Sequence, residues 1–507
     1  MPPAKRKGPA RRSAPKKEIQ PETRINLQGS DNAVATGPKS IAANIRIIFQ
    51  GGWKPFAGVL VLVAALLGAI LWFVVPRKAS AMTKQFNVAV AQFLVQDAKG
   101  NRIAGQDGSL LASYVSQEIE TQFAAMELEK SISYEVWGPD QTGLIQGNTP
   151  EERTKAAREL AEKINAYVVV YGKLVKDGEQ SRFLPEFYIN HKSFVEASEI
   201  TGGHQLGREL ALTLPFNGIQ SAENPALVGR VRALDLITVG LAYYSADKFD
   251  EALTYFQKAA QEKAWVGSGR EVVYLLIGNA YVRKSSPARG FDDLPLALQN
   301  YQLALDKNSD YGRALIGKAN VLYLQASQGE NKCDPVGFEQ ASETLNDALS
   351  LLDQPASANI ETKVHFYRGQ IAILRDDCQQ TEQDWLSTAA QEFTWVVDQY
   401  ESRKKNDDDY QGIESLASHS YARLGYISYT RGDPETAITW FQKAVEIASP
   451  YYQGFYLSLI GDIYAATGHK EEALNYYAEA IEIAEMEADA ASMQRYEEKM
   501  QAAEDLP

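Results

Sequence analysis

The chain has little of what catalysis and metal binding require. Its 507 residues hold five histidines and two cysteines, and His191, His204, His365, His419 and His469 show neither the H-E-x-x-H spacing of a helical zinc site nor any other ligand spacing. A G-x-S-x-G nucleophile elbow is missing. The glycine-rich VGSGRE (266–271) lacks the spacing and the lysine of a phosphate-cradling loop, and reads as a turn between helices. The segment KNDDDYQG (405–412) opens like a calcium loop, but Ser418 stands where a bidentate glutamate would close it, so it reads as a solvated loop. No catalytic residue, cofactor or metal is expected, although a site assembled from scattered residues would leave no such trace.

Positive charge is scarce over most of the chain. Residues 1–54 carry eleven Lys or Arg against three acids, whereas the remainder has 40 bases against 62 acids. A body with that excess of acid repels phosphate backbones, which argues against nucleic acid as a partner. With 45% hydrophobic and 23% charged residues, the chain has the profile of two or three globular domains rather than of disorder.

Charge is missing altogether from FAGVLVLVAALLGAILWFVV, residues 56–75. Twenty helical residues span roughly 30 Å, the thickness of a bilayer's hydrocarbon core, and the run exceeds the apolar stretch of a signal peptide. It reads as a retained transmembrane helix in contact with lipid; Ala79-Ser80-Ala81 keeps cleavage after Ala81 open as the alternative. The eleven bases before Phe56 outnumber Arg77, Lys78 and Lys84 after it, which sets the N-terminus in the cytoplasm. The expected layout is a basic disordered cytoplasmic tail (1–40), a juxtamembrane segment (41–55), the span, and an extracytoplasmic body.

Self-similarity appears late in the chain. LGYISYTRGDPETAITWFQKAVEIASP (424–450) and IGDIYAATGHKEEALNYYAEAIEIAEM (460–486) share a constellation that recurs six times. A glycine falls at 240, 278, 317, 369, 425 and 461, and an alanine follows at 252, 297, 341, 389, 437 and 473. Then come Phe256, Tyr301, Leu345, Phe393, Phe441 and Tyr477, and after them Ala259, Ala304, Ala348, Val396, Ala444 and Ala480. Two helices in a hairpin approach closely only where side chains are small, so Gly and Ala mark the crossing and the bulky residue fills the gap beside it.

This constellation resembles the tetratricopeptide repeat. The resemblance implies a mainly α fold, an α-solenoid of six helix hairpins over 229–486, capped by a polar helix within 487–507. It also implies an inner surface, formed by the first helices, that holds a protein or peptide. Here that surface would present Tyr244, Asn279, Arg283, Tyr311, Lys318, Phe366, Gln370, His419, Tyr426, Tyr429, Phe455 and Asp462. Only Asn279 matches the Lys/Asn arrangement by which some members clamp a C-terminal carboxylate, so such a clamp is not expected. Insertions 284–295, 325–338 and 375–387 should project from one edge. Cys333 and Cys378 lie in two of them. Outside the cytoplasm they would form either a disulfide, stabilising by about 4 kcal/mol in the chain-entropy model, or two free thiols.

Residues 84–216 read differently. FNVAVAQF (86–93) and ISYEVW (132–137) alternate like strands, GSLLASYVSQEIETQFAAM (108–126) has helical period with Asp107 or Ser109 as N-cap, and PEERTKAARELAEKIN (150–165) is helical. AYVVVYGKLVKD (166–177) and FLPEFYIN (183–190) read as a strand pair, and 204–214 adds another strand; together these make a small α/β layer. The opening VAV-x-x-F strand, the helix after a Gly-Ser turn and the later AYVVVYGKL strand resemble the α/β module of TolB-type and CsgG-type bacterial envelope proteins, which implies a role in interaction or assembly. Asn217–Asn224 is the expected linker. Two functions are open: a non-enzymatic scaffold that binds proteins or peptides on its repeats, and a sensor whose α/β domain binds a small ligand while the repeats relay the response. Homo-oligomer formation stays open in both.

Overall fold

Val168–Asp177 (VVVYGKLVKD), which opens on three consecutive valines, forms the central strand of a mixed seven-stranded sheet. The computed structural model describes residues 81–507 except 126–131, 178–179, 195–198, 215, 217–223, 264, 266–267, 286–289, 329–332, 352–358, 379–383, 407–409, 488 and 506–507. Strands β1 (Phe86–Val90) and β2 (Leu94–Asp97) pair in parallel with the central strand, β4, one after the other along the same edge. β3 (Tyr134–Trp137) lies outside β1, also parallel. β5 (Gln180–Ile189) runs antiparallel along all of β4, and β6 (Gly202–Gln205) and β7 (Leu210–Thr213) share its far edge.

Strand alternation decides what covers each face. Val88 and Val90 of β1 and Val168 and Val170 of β4 point to helix α1 (Asp107–Ala125), which buries Leu111, Val115, Ile119 and Phe123. Ala89, Val169 and Tyr171 point the other way, where a four-residue helix α2 (Pro139–Thr142) leads on to α3 (Pro150–Ile164) and its Ala157, Ala161 and Ile164. Thr149 starts α3 with a reciprocal capping box to Glu152, Pro150 takes the first turn, and Asn165 ends the helix at φ 59°. Asp107 sits in the first turn of α1 and accepts bonds from Lys176 Nζ at 2.8 Å and Phe216 N at 2.9 Å.

Six hairpins follow: α4/α5 (Pro225–Ser245, Phe249–Gln261), α6/α7 (Arg270–Lys284, Leu294–Lys307), α8/α9 (Gly312–Gln328, Pro335–Ser350), α10/α11 (Ile360–Asp377, Trp385–Lys405), α12/α13 (Glu414–Thr430, Pro434–Ile447) and α14/α15 (Pro450–Ala466, Lys470–Met486). All six crossing alanines and all six residues of the second small position are fully buried. The glycines are required by close approach: a Cβ on Gly240 would stand 2.4 Å from Phe256, and one on Gly461 2.6 Å from Tyr477. The third hairpin departs from this rule because Leu345 is too short to reach. There Gly317 takes the ring of Tyr301 from the preceding hairpin instead, so that ring lies between Gly278 and Gly317.

Cys333 and Cys378, in the inter-helix loops of the third and fourth hairpins, form a disulfide with Cα atoms 5.5 Å apart. Helix α16 (Ala490–Glu504) closes the array, burying Tyr496 against Leu457, Ala480 and Ala484. Residues 78–507 cluster as one unit. One hydrophobic core runs without a break from Phe86 and Phe123 in the α/β layer to Leu234, Leu276 and Val321 in the repeats. The expected linker therefore joins parts that are packed together, and Asn224, its last residue, caps α4 by accepting from Ala226 N and Leu227 N. The tail, the juxtamembrane segment and the span at 56–75 lie outside the described residues, as do 217–223 of the linker. Among the described residues no helix is long and apolar enough to cross a membrane.

Candidate functional site

The first helices of the hairpins line the inner face, and this face has two parts. Its N-terminal part is filled by the chain itself. The segment around Glu199–Gly203, which leads into β6, lies against α6, α8 and α10. The Glu199 carboxylate accepts from Tyr367 OH and, at 3.2 Å, from Asn279 Nδ2. Arg313 donates to three carbonyls of the same segment, Glu199 at 3.2 Å, Thr201 at 2.5 Å and Gly203 at 3.1 Å. Burial, and then the neighbouring Arg313, keep His204 neutral by holding its pKa well below the usual imidazole range. Burial followed by the same arginine lowers the Lys363 ammonium to about 7, and Glu199 opposes the shift.

The C-terminal part is open. A cavity of about 780 Å³ is lined by α8, α10, α12 and α14, with Arg283 at its edge. Eight of the twelve residues expected on the inner surface surround it: Arg283, Phe366, Gln370, His419, Tyr426, Tyr429, Phe455 and Asp462. Tyr426, Tyr429 and Phe455, all in its lining, are 39%, 43% and 37% exposed. His419 is held edge-on to Tyr452 with ring centroids 4.5 Å apart, and its Nδ1 lies 2.6 Å from Tyr456 OH. Burial, reinforced by Arg423, lowers His419 to about 4, so it is neutral near pH 7.

Charge in the cavity is unbalanced. Asp462 accepts from Tyr477 OH at 2.8 Å and pairs with Lys499 of the capping helix at 2.6 Å, so its charge is offset. Arg283 lies over Phe249 and 3.7 Å from Asp247. Arg423 is exposed and forms no ion pair among the described residues. Its acidic neighbour Asp377 has its carboxyl pushed up by burial and by Asp376. The lining thus combines aromatic rings, two arginines and the amides of Asn320 and Gln370.

Four expected groove residues lie elsewhere. Tyr244 and Asn279 are buried under the α/β segment and bonded to each other, with Phe194 packed on Tyr244 at 5.9 Å. Tyr311 is half-buried just before α8 and packs on the core. Lys318 turns outward and donates to Gln302 of α7 at 3.2 Å. Tyr244 and Asn279 are not open because the α/β segment around Phe194 and Glu199 covers them. The sequence pattern did not single out Glu199, Arg313 and Lys363, nor Tyr323, which lines the open cavity from α8. The available signal was charge on an inward helical face, since Arg313 and Lys363 precede Gly317 and Gly369 by about one and two turns. Ser418, at the closing place of the calcium-like loop, is buried and donates to the Ala444 carbonyl at 3.1 Å.

Residues 415–486 match the tetratricopeptide repeat family model. The preceding hairpins bury the same Gly, Ala and bulky positions, with the departure at Leu345 in the third. Among solved structures the chain is similar to the Cut9–Hcn1 hetero-tetramer of the APC/C (13% identity, 56% of this chain and 44% of that chain, TM-score 0.39). A second is a signal-transduction ATPase with a tetratricopeptide repeat sensor from Pyrococcus horikoshii (19%, 54% and 36%, TM-score 0.36). A third is a tetratricopeptide repeat protein of Thermus thermophilus (16%, 53% and 99%, TM-score 0.27). The chain spans less than half the length of the first two. No curated protein matches it.

Proposed function

We propose that this is a membrane-anchored, non-enzymatic scaffold that binds partner proteins or peptides in the open half of its repeat groove, on the extracytoplasmic side of a bacterial envelope. The observation that carries the binding reading is the cavity ringed by Tyr426, Tyr429 and Phe455, where solvent-exposed rings stand beside arginine and amide groups. The anchor, the orientation and the envelope rest on residues 56–75, on the basic head and on the TolB-like and CsgG-like character of the α/β layer. We favour a scaffold over a sensor because this cavity is built by the repeats, not by the α/β layer.

A photo-crosslinking residue at Tyr426, activated in living cells and followed by partner identification, tests the binding reading. We expect discrete protein adducts that vanish when the crosslinker is moved to the outer position Lys318. Equal adduct patterns at both positions would sink it. A membrane-impermeant protease should digest residues beyond 84 in intact cells or spheroplasts, and full protection would overturn the orientation.

A further inference from the structure

The seam between the α/β layer and the fourth hairpin encloses a cavity of about 20 Å³, room for one water-sized particle. Arg158 of α3 lines it from one side, with Tyr188 near the end of β5 and His191 just beyond; Asn359 and Lys363, at the start of α10, line it from the other. Arg158 and Lys363 are both more than nine-tenths buried, and taking such cations out of water is costly unless negative charge or acceptors replace the water. The acids around the cavity offset this only in part. Glu162 lies 4.0 Å from His191 Nε2, and Glu199, which acts on Lys363, has its carboxylate engaged by Tyr367 and Asn279. Arg313 adds a third buried cation beside Lys363, and burial followed by that arginine lowers the lysine to about 7. The backbone contributes in the same sense. Asn359 precedes α10 at φ 51° and makes no side-chain capping bond to the helix, so the first-turn N–H groups keep the partial positive charge of a helix start.

From this we infer that the cavity is a binding site for a small monovalent anion of chloride size, which joins the α/β layer to the repeat array. Charge selects the ion: Arg158 and Lys363 repel a cation, and an anion between them favours the charged form of the lysine that burial opposes. Size selects it further, because a space for one water-sized particle excludes sulfate, phosphate and organic carboxylates. The ion touches both sides of the seam only while they are together, so it stabilises the assembled body and leaves when the layer separates from the array. The site shares no lining residue with the open cavity of the repeats, and it holds whatever occupies that groove.

The test uses the full-length chain in mild detergent. Sodium gluconate is replaced stepwise by sodium chloride at constant ionic strength, and the thermal midpoint is followed by near-ultraviolet dichroism. The midpoint should rise with chloride by about 1–2 °C per tenfold increase once the site fills, the scale for linkage to one ion in a body of this size. Bromide should act as chloride does. Lys363→Met, which keeps the aliphatic stem and removes the charge, should abolish the dependence. Crystals of the parent chain grown in sodium bromide should show an anomalous scattering peak between Arg158 and Lys363, a readout that does not depend on the variant's folding. A midpoint equal in chloride and gluconate, a chloride dependence unchanged in Lys363→Met, or bromide peaks found only elsewhere would overturn the anion site and assign the cavity to water.

Discussion

At the scale of single residues the repeats are held by contacts that tolerate no extra atom. Gly240→Ala would press a methyl onto Phe256 at 2.4 Å; overpacking of this kind costs about 1–3 kcal/mol. Urea denaturation should show that loss, and Phe256→Leu in the same chain should recover part of it, whereas strictly additive losses would refute the steric account. A second prediction concerns Asp235 in α4. It is buried, its Oδ1 lacks a hydrogen-bond partner, and burial followed by repulsion from Glu118 raises its pKa well above 3.8. The unfolded chain thus releases this proton near pH 4 and the folded chain releases it at higher pH. Its contribution to stability is full below about pH 4 and declines as pH rises through the folded value. Asp235→Asn should therefore be more stable than the parent at pH 8, with the advantage disappearing by pH 4. An advantage independent of pH would show that Asp235 does not titrate in this way.

Elements were legible in the sequence to the extent that local spacing dictates them. The crossing of two helices demands Gly and Ala at fixed intervals, so Gly369, Ala389 and Phe393 could be placed despite the insertion at 375–387, and their contact followed from hairpin geometry. The partners of Glu199 could not be found in this way. Asn279 and Tyr367 lie 80 and 168 residues away, and isolated hydrogen bonds across such distances leave no periodic trace. The disulfide stands between these cases: the repeat pattern puts both loops on one edge, but only the fold sets their Cα atoms 5.5 Å apart. It closes 45 residues and clamps the third hairpin to the fourth, on which the cavity's Phe366 and Gln370 stand. Replacing both cysteines by alanine should cost about 4 kcal/mol in the chain-entropy model. Hydrogen exchange should rise first in α9 and α10, and an unchanged midpoint with unchanged exchange would show that the bond is ornamental.

The molecule as a whole should behave as one cooperative body over residues 78–507, although its sequence suggests an α/β domain, a linker and a separate array. The reason is the shared core: Leu227, Val231, Leu234 and Ile237 of α4 are buried together with Leu111, Val115 and Phe123 of α1, so the first hairpin has no other cover for its apolar face. Arg313 adds a buried polar lock at the far end of the interface, with three carbonyl acceptors. Removing it strands buried carbonyls, and a loss of about 3 kcal/mol is the scale for breaking a buried ionic network. Arg313→Met should therefore lower the midpoint of the entire unfolding transition, followed both by near-ultraviolet dichroism and by hydrogen exchange in β4 and in α8. A fragment beginning at Pro225 should expose the α4 face and the groove now filled by Glu199, and should aggregate or bind a hydrophobic dye. Two separate transitions in the parent chain, with β4 and α8 melting at different denaturant concentrations, would show that the layer and the array are autonomous. In that event the resident segment in the groove would be a dissociable occupant, and the groove available to partners would extend to all six repeats.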